Sequence, residues 1–491
     1  SFPAWSMPLA LLILCFLAFG IFLNQLGFYW DDWAKILVGR LWGMNAYIPY
    51  YAEDRPYSAW THMVLTPILG YGPLSWQIFC FVMRFLAAVG AWWTMISLWP
   101  SARRQSALIA LLFTIYPVFN QQAIAVTFHQ QLWQYALFTF SLALMVQSLR
   151  RPRAFWWLTI LSLLLSLNQL FITEYFVGVE IVRLPILWIL VAEKEPAFKQ
   201  RIWKTFKLWL PYIILLTAYI IWRLFFIKLS VTDPYQAVLL FKLFKQPVSA
   251  LGTLTRITLV DSFYVLITTW TQVLDIGLNT YQQFVPPGTL QIWIIGALAA
   301  VGFTIYLARL EGTDEKESPL NNTWLWQALT VGLFCYLGGC AQAWITDRHI
   351  IEDFHSNRYA LPALLGAAML WVVAIEWIAR NRLQKAIIIS ALLGLSIIFH
   401  LRTMDDFKTI WNNQLDFFWQ LSWRAPALKP GTALLTEDEL FPNQGMFSTG
   451  AALNLLYPQS SQKTDADNLD YWIYPMSSRF STPGVSKHPL D

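Results

Sequence analysis

The chain has 491 residues, of which 57% are hydrophobic and only 13% charged, with a formal net charge of +5. Soluble domains carry about 25% charged residues, so this chain lacks the polar surface to cover itself in water and belongs in a bilayer. The same composition excludes a nucleic-acid-binding protein, a disordered scaffold, a collagen-like rod and a secreted disulfide domain.

Taken in chain order, apolar runs of about 20 residues, the length that crosses a bilayer, lie near 8–30, 74–99, 107–126, 131–149, 155–173, 175–192, 208–229, 289–309, 324–344, 359–379 and 386–403. The first is longer than a signal-peptide core and is read as a retained anchor. Arginines and lysines cluster at Arg103–Arg104, Arg150–Arg153, Lys194–Lys207 and Arg380–Lys385. Cytoplasmic loops favour such residues, which predicts a cytoplasmic N-terminus and an extracytoplasmic C-terminus. The stretch 235–286 is apolar enough over Asp261 to Tyr281 for a twelfth span. Crossing there would put the basic Arg380–Lys385 turn outside, so interfacial helices on the outer face are expected, with Lys242, Lys245 and Arg256 toward headgroups. A tilted or re-entrant helix pair is the alternative. After His400 the hydropathy falls, and 404–491 is expected to be a small extracytoplasmic region leaning on the membrane part. The expected fold is an all-α polytopic membrane protein of about eleven transmembrane helices.

Charged groups at membrane depth cost about 2.5–3.5 kcal/mol on insertion scales, so their positions are informative. Directly after the first span comes Phe28-Tyr29-Trp30-Asp31-Asp32-Trp33, two acids between interface tryptophans. Neighbours in sequence do not share a helical face. Asp31 and Asp32 are therefore expected to divide their roles, one as general base and the other capping a helix or pairing with an arginine; the plainer reading has both starting a juxtamembrane helix. In the same loop, Asp54-Arg55-Pro56 offers an arginine whose backbone the proline restricts. It suits bidentate binding of a carboxylate or phosphate, or else is a solvated loop charge.

His129, with Gln130 and Gln131, marks another outer turn. Glu174-Tyr175 closes the fifth span, where Glu174 is a candidate to contact a ligand hydroxyl. Glu180 and Arg183 are three apart on one helical face and predict an intramembrane ion pair. The loop from Asp347 to Tyr359 collects Arg348, His349, His355 and Arg358, the groups a bilayer-surface site would use to neutralise a phosphate leaving group. Either histidine singly also reads as an ordinary interfacial residue. Asp465-Ala466-Asp467 lacks the strand–helix pattern of a nucleotide-binding domain around it, and no metal site is assigned. Cys15, Cys80, Cys335 and Cys340 all sit in apolar runs and read as buried small hydrophobes.

Trp30-Asp31-Asp32-Trp33, Asp54-Arg55-Pro56 and Asn357-Arg358-Tyr359-Ala360-Leu361-Pro362, together with the span count and outer C-terminal region, resemble the integral-membrane glycosyltransferases of the GT-C type. The resemblance covers residues 8–403. It implies a polyprenyl-phosphate-linked sugar donor, a bacterial cytoplasmic (inner) membrane location, and Asp31 or Asp32 as the base or the group that orients the acceptor. It places Arg358, with Arg55, His355 and Arg348, around the donor phosphate. Glu174, Tyr175, Asp54, His129 and Tyr359 are the expected substrate contacts. The sugar arrives activated, so no cofactor is required, although a divalent metal is compatible; nucleic acid is not an expected partner, and protein partners are not indicated. A carboxylate to take the acceptor proton and cations to receive phosphate charge would support inverting single displacement. This chain lacks the W-W-D-x-G motif of oligosaccharyltransferases, which leaves a lipid, glycan or protein acceptor open. Two rivals stand beside this reading: an O-antigen-ligase-like or polymerase enzyme that uses the 347–358 loop, and a non-catalytic scaffold subunit.

Overall fold

The computed structural model describes residues 3–227, 238–272, 287–310, 322–437, 446–457 and 469–476. Among them, eleven helices are long and apolar enough to cross a membrane, and the chain is a polytopic all-α membrane protein. Helix α1 spans Met7–Gln25, α2 Asp32–Leu37, α3 Ser58–Leu69, α4 Pro73–Leu98, α5 Arg103–Thr114, α6 Ala125–Arg150, α7 Pro152–Ile172, α8 Glu174–Ala192 and α9 Phe198–Phe225. Then come α10 Val238–Lys245, α11 Pro247–Gln272, α12 Leu290–Arg309, α13 Thr323–Ile345, α14 Asn357–Ile378 and α15 Arg382–Arg424. Strand β1 (Thr432–Glu437), α16 (Met446–Leu456) and β2 (Tyr471–Met476) complete it.

One end of the bundle gathers the basic residues. Arg104 Nη2 donates to the Arg382 carbonyl at 2.7 Å, Arg150 pairs with Glu193, and Lys194 reaches the Leu149 carbonyl. Exposed Trp5, Trp156, Trp157, Trp203, Trp326 and Trp377 belong to helix segments at this end. Such a belt is what amphipathic indole rings form at headgroup level. Between the ends, α9 turns Ile202, Phe206, Leu210, Ile214 and Leu224 outward, as a lipid-facing helix must.

The expected span at 107–126 crosses, but only its first half is a helix. Helices α4 and α6 run parallel: the Trp76 and His129 rings lie 5.1 Å apart near their starts, and Arg150 Nε donates to the Ser97 carbonyl near their ends. The connection must therefore traverse the bundle. Helix α5, at about 1.5 Å per residue, supplies about 18 Å of that rise, and a non-helical, buried stretch from Ile115 to Ile124 supplies the rest. Pro117 there has no N–H to give to a helix.

Irregular backbone at this depth survives only where protein satisfies it. Arg84 Nε donates to the Thr114 carbonyl at 2.8 Å, Thr269 Oγ1 to Pro117 at 2.5 Å and Gln77 Nε2 to Ala123 at 2.6 Å. His400 Nε2 meets the Ile115 carbonyl at 3.1 Å. This broken crossing is absent from the eleven long helices, whereas α11, in the stretch expected to be interfacial, is among them.

Helices α10 and α11 occupy part of the stretch expected to be interfacial; 228–237 and 273–286 lie outside the described residues. Lys242 pairs with Asp347 at 3.2 Å, and Lys245 and Arg256 are exposed. Asp261, fully buried, accepts from Trp344 Nε1 and the Ile350 N–H, both at 2.9 Å, and so orders the loop before α14. Beyond Asp261, α11 reaches the broken crossing, where the Tyr116 hydroxyl donates to the Val265 carbonyl. Helices α8 and α14 both open in tight 3₁₀ turns. Helix α13 packs against these openings at Gly338 and Gly339; a Cβ on Gly338 would stand 2.5 Å from the Gly178 carbonyl oxygen.

The fall in hydropathy near 403 is not a structural boundary. Helix α15 has 43 residues, about 64 Å against a hydrocarbon core of about 30 Å, so it extends well beyond one face. Its Gln414 accepts from Trp33 Nε1 at 2.9 Å. The tail is mixed: β1 and β2 pair in parallel with Thr432 opposite Tyr471. Asn454 on α16 donates to the Tyr471 carbonyl and accepts its N–H. Leu37 of α2 packs with Ala451 and Leu469, so the tail leans on the first loop.

Candidate active site

The turn after α1 separates the two acids. Trp30 has φ +47°, a left-handed conformation uncommon for a bulky residue. Asp32 is fully buried: Oδ1 accepts the Thr127 N–H at 2.7 Å and Oδ2 the Tyr29 N–H at 3.3 Å. Thr127 lies in the first turn of α6, so Asp32 caps that helix from a distant segment. Burial pushes its carboxyl up to about 7 against the pull of Lys35 and the hydrogen bonds from Thr127 and Tyr29. Asp32, one of the two expected bases, is turned into the protein and does not line the cavity that Asp31 faces.

That cavity, of about 390 Å³, is lined by Asp31, Lys35, Tyr50, Arg55, Gln131 and Arg358 among others, with Trp30, Asp54 and Tyr175 on its walls. Asp31 is 40% exposed in its side chain and lies 3.8 Å from Lys35 Nζ. Lys35 also donates to Thr127 Oγ1 at 3.0 Å, and burial lowers its ammonium pKa below the ordinary lysine value.

Arg358 is held by faces of rings. Its guanidinium carbon is 5.0 Å from the Trp30 centroid and 5.1 Å from that of Tyr359, and Nη2 donates to the Tyr359 hydroxyl at 3.2 Å. Its Nε is buried without a hydrogen-bond partner. Among the described residues no carboxylate lies within ion-pair distance of it. Tyr359 stacks on Tyr175 at 5.9 Å, and the Arg348 guanidinium carbon lies 5.2 Å from the Tyr359 centroid.

Other expected contacts are placed elsewhere. Arg55 and Glu174, assigned separately to phosphate and hydroxyl, bind each other: Nε to Oε2 at 3.0 Å and Nη2 to Oε1 at 2.5 Å. Arg55 still reaches the cavity wall, but its fork is taken by a carboxylate. The Asp54 carbonyl accepts from Arg223, and its side chain lies 3.8 Å from Arg55. His129 is fully buried, bonded to Thr61 Oγ1 and the Val126 carbonyl, and is no cavity residue. It belongs to a wall with His62, whose neutral form burial favours and whose Nε2 is 2.8 Å from the Tyr51 hydroxyl. His355 is exposed, with its ring 5.6 Å from that of Trp30; neither it nor Arg348 lines the cavity. Glu180 and Arg183 form the predicted buried ion pair, at 2.6 Å.

Lys35 and Tyr50 are cavity residues that the sequence alone did not single out, while Gln130 and Gln131 of the expected outer turn line the cavity although His129 does not. Lys35 stands four residues after Asp31 on α2, a spacing that brings opposite charges together on one helical face and was the available signal. Among the described residues no group of three or more His, Cys, Asp or Glu side chains could hold a metal ion.

No protein-family model matches the chain, and no curated protein matches it. Among solved structures it is similar to ArnT from Cupriavidus metallidurans in the apo state, with 11% identity and a TM-score of 0.37 over 93% of this chain and 86% of that one. The same values hold for ArnT from Cupriavidus metallidurans bound to undecaprenyl phosphate.

Proposed function

We propose that this protein is a membrane glycosyltransferase that moves a sugar from a polyprenyl-phosphate-linked donor to a hydroxyl of an extracytoplasmic lipid, glycan or protein, in the cytoplasmic membrane of a bacterium. The arginine- and lysine-rich end of the bundle faces the cytoplasm in this reading, which puts the cavity on the opposite face and the C-terminal unit outside. One observation carries the proposal: a carboxylate, Asp31, and two cations, Lys35 and Arg358, line the same cavity beside an aromatic wall.

The acceptor O–H gives its proton to the Asp31 carboxylate as its oxygen bonds to the anomeric carbon from the face opposite the phosphate. The anomeric C–O bond to phosphate breaks, and the electron pair leaves on the polyprenyl phosphate. Lys35 and Arg358 receive that charge, in a site where preorganised cations do most. Arg358, fixed by ring faces and the Tyr359 hydroxyl and not by a carboxylate, has donors left for phosphate. Arg55 serves at one remove, holding Glu174 and the cavity wall.

The test is transfer by the full chain in nanodiscs supplied with lipid-linked sugars extracted from native membranes. Asp31→Asn should lower turnover by about 10²–10⁴-fold with donor binding kept. Arg358→Met and Lys35→Met should each weaken polyprenyl phosphate binding by about tenfold or more. Unchanged turnover in Asp31→Asn removes the mechanism. Loss of transfer in His355→Ala with normal turnover in Asp31→Asn would favour a ligase-like enzyme instead.

A further inference from the structure

A second cavity, of about 310 Å³, lies across the Phe354–Arg358 segment from the first. The two share a wall: Phe354 and Asn357 line the second, Arg358 lines the first, and Trp30 of the first packs edge-on against Phe354 at 5.9 Å. The remaining lining comes from the end of the broken crossing (Asn120), from α11 (Tyr264 and Gln272), from the loop before α14 (Glu352 and Asp353) and from α15 (Phe399, Arg402, Thr403 and Asp406). Its volume falls at the lower end of the about 300–1,000 Å³ usual for small-molecule sites.

The chemistry of this lining is lopsided toward hydrogen-bond acceptors. Glu352, Asp353 and Asp406 are exposed carboxylates against a single arginine. Asn357 is 3% exposed, and its Oδ1 has no hydrogen-bond partner. Asn120 Oδ1, on the opposing segment, is likewise buried and unsatisfied. Buried amide oxygens left unpaired cost about 1–3 kcal/mol each, so two at one cavity point to a ligand that donates. A phosphate, anionic and rich in acceptors, would meet three carboxylates against one arginine and is disfavoured. A metal ion fits poorly, since the described acids do not converge as a ligand set. The rings of Tyr264 and Phe399 add apolar faces beside the acceptors. Several acceptors with apolar ring faces suit a molecule that carries many hydroxyl donors on an apolar carbon frame.

We propose that this second cavity binds a neutral polyhydroxylated ligand, a saccharide unit, with Asn357 and Asn120 accepting from its hydroxyls. The assignment does not need the first cavity to be a phosphate site; if it is, the shared wall brings a saccharide to the far side of the segment that carries Arg358.

The experiment is saturation-transfer NMR on the full chain in nanodiscs, with glucose, galactose, mannose and N-acetylglucosamine as probes. At least one should show saturable transfer. Asn357→Leu and Asn120→Leu should each weaken it by about tenfold, the worth of one hydrogen bond to a buried acceptor. If Asn357→Leu fails to fold, Asn120→Leu carries the test alone. Arg358→Met should leave the sugar signal unchanged while weakening polyprenyl phosphate binding. No transfer from any probe, transfer indifferent to the foldable asparagine variants, or displacement of the sugar by micromolar calcium would overturn the proposal. Sugar binding lost with polyprenyl phosphate binding intact refutes this cavity alone. The reverse result refutes only the first cavity.

Discussion

The Arg358 guanidinium carbon stands 5.0 Å from the centroid of the Trp30 indole, and Trp30 itself is held in a left-handed backbone conformation. A residue heading a late span is thus presented to the first cavity by one that follows the first span. Cation–ring contacts contribute about 0.5–2 kcal/mol. Trp30→Ala should weaken polyprenyl phosphate binding by about 2–30-fold, and Trp30→Phe by less, as measured by titration in nanodiscs.

Asp31 and Asp32 should separate by what their loss does. Burial raises the Asp32 carboxyl to about 7 in the fold, above the ordinary aspartate value of 3.8. The folded protein then holds a proton that the unfolded chain releases, so stability falls as pH rises from about 4 to about 7 and levels off above. Melting followed from pH 5 to pH 8 should show this decline, and Asp32→Asn, which cannot ionise, should flatten it. An equally steep decline in the variant would assign the pH dependence to another group.

The Arg55–Glu174 pair is largely enclosed, with side chains 14% and 16% exposed. Removing one partner strands a charge, which costs about 3–5 kcal/mol when burial is complete and less here. Arg55→Met and Glu174→Leu should each lower the melting temperature, and the double variant should lie closer to the parent than either. Additive losses in that cycle would mean that the two side chains are not coupled.

The broken crossing depends on donors from other helices. Arg84→Leu frees the Thr114 carbonyl and Gln77→Leu the Ala123 carbonyl, inside a bundle where water is scarce. Each should cost about 1–3 kcal/mol. Proteolysis of folded protein in detergent should then accelerate at residues 115–124, and no change in either variant would show that water replaces the lost donors.

Gly338→Ala tests the closest backbone approach between α13 and the opening of α8. The new methyl would sit 2.5 Å from the Gly178 carbonyl oxygen, which is backbone and cannot swing aside, and 2.9 Å from the branched Ile181 Cγ2. Overpacking of this kind costs about 1–3 kcal/mol, so a clear fall in melting temperature is expected.

Much of the architecture was legible because bilayer physics leaves a strong local trace. Long apolar runs flanked by arginine and lysine marked the spans, and the Glu180–Arg183 spacing already named a buried pair. Two of the features that escaped concern where a helix stops. The crossing at 107–126 has the hydropathy of a helix over its whole length, yet breaks after Thr114 because other helices solvate its carbonyls. Helix α15 runs through the fall in hydropathy at 403 because Gln414, the mixed C-terminal unit and α2 support it outside the apolar layer.

From its own residues the chain determined that it is a membrane protein, which stretches are apolar enough to cross, and which acids and arginines stand near a surface, since these follow from composition, run length and neighbours along the chain. Only the tertiary structure decided that Asp31 faces the cavity while Asp32 caps α6, that Arg55 is occupied by Glu174, and that Lys35 and Arg358 line one space. Each of the first two rests on a partner nearly a hundred residues away or more, at Thr127 and Glu174, and no local pattern encodes a contact that exists only after the helices have packed.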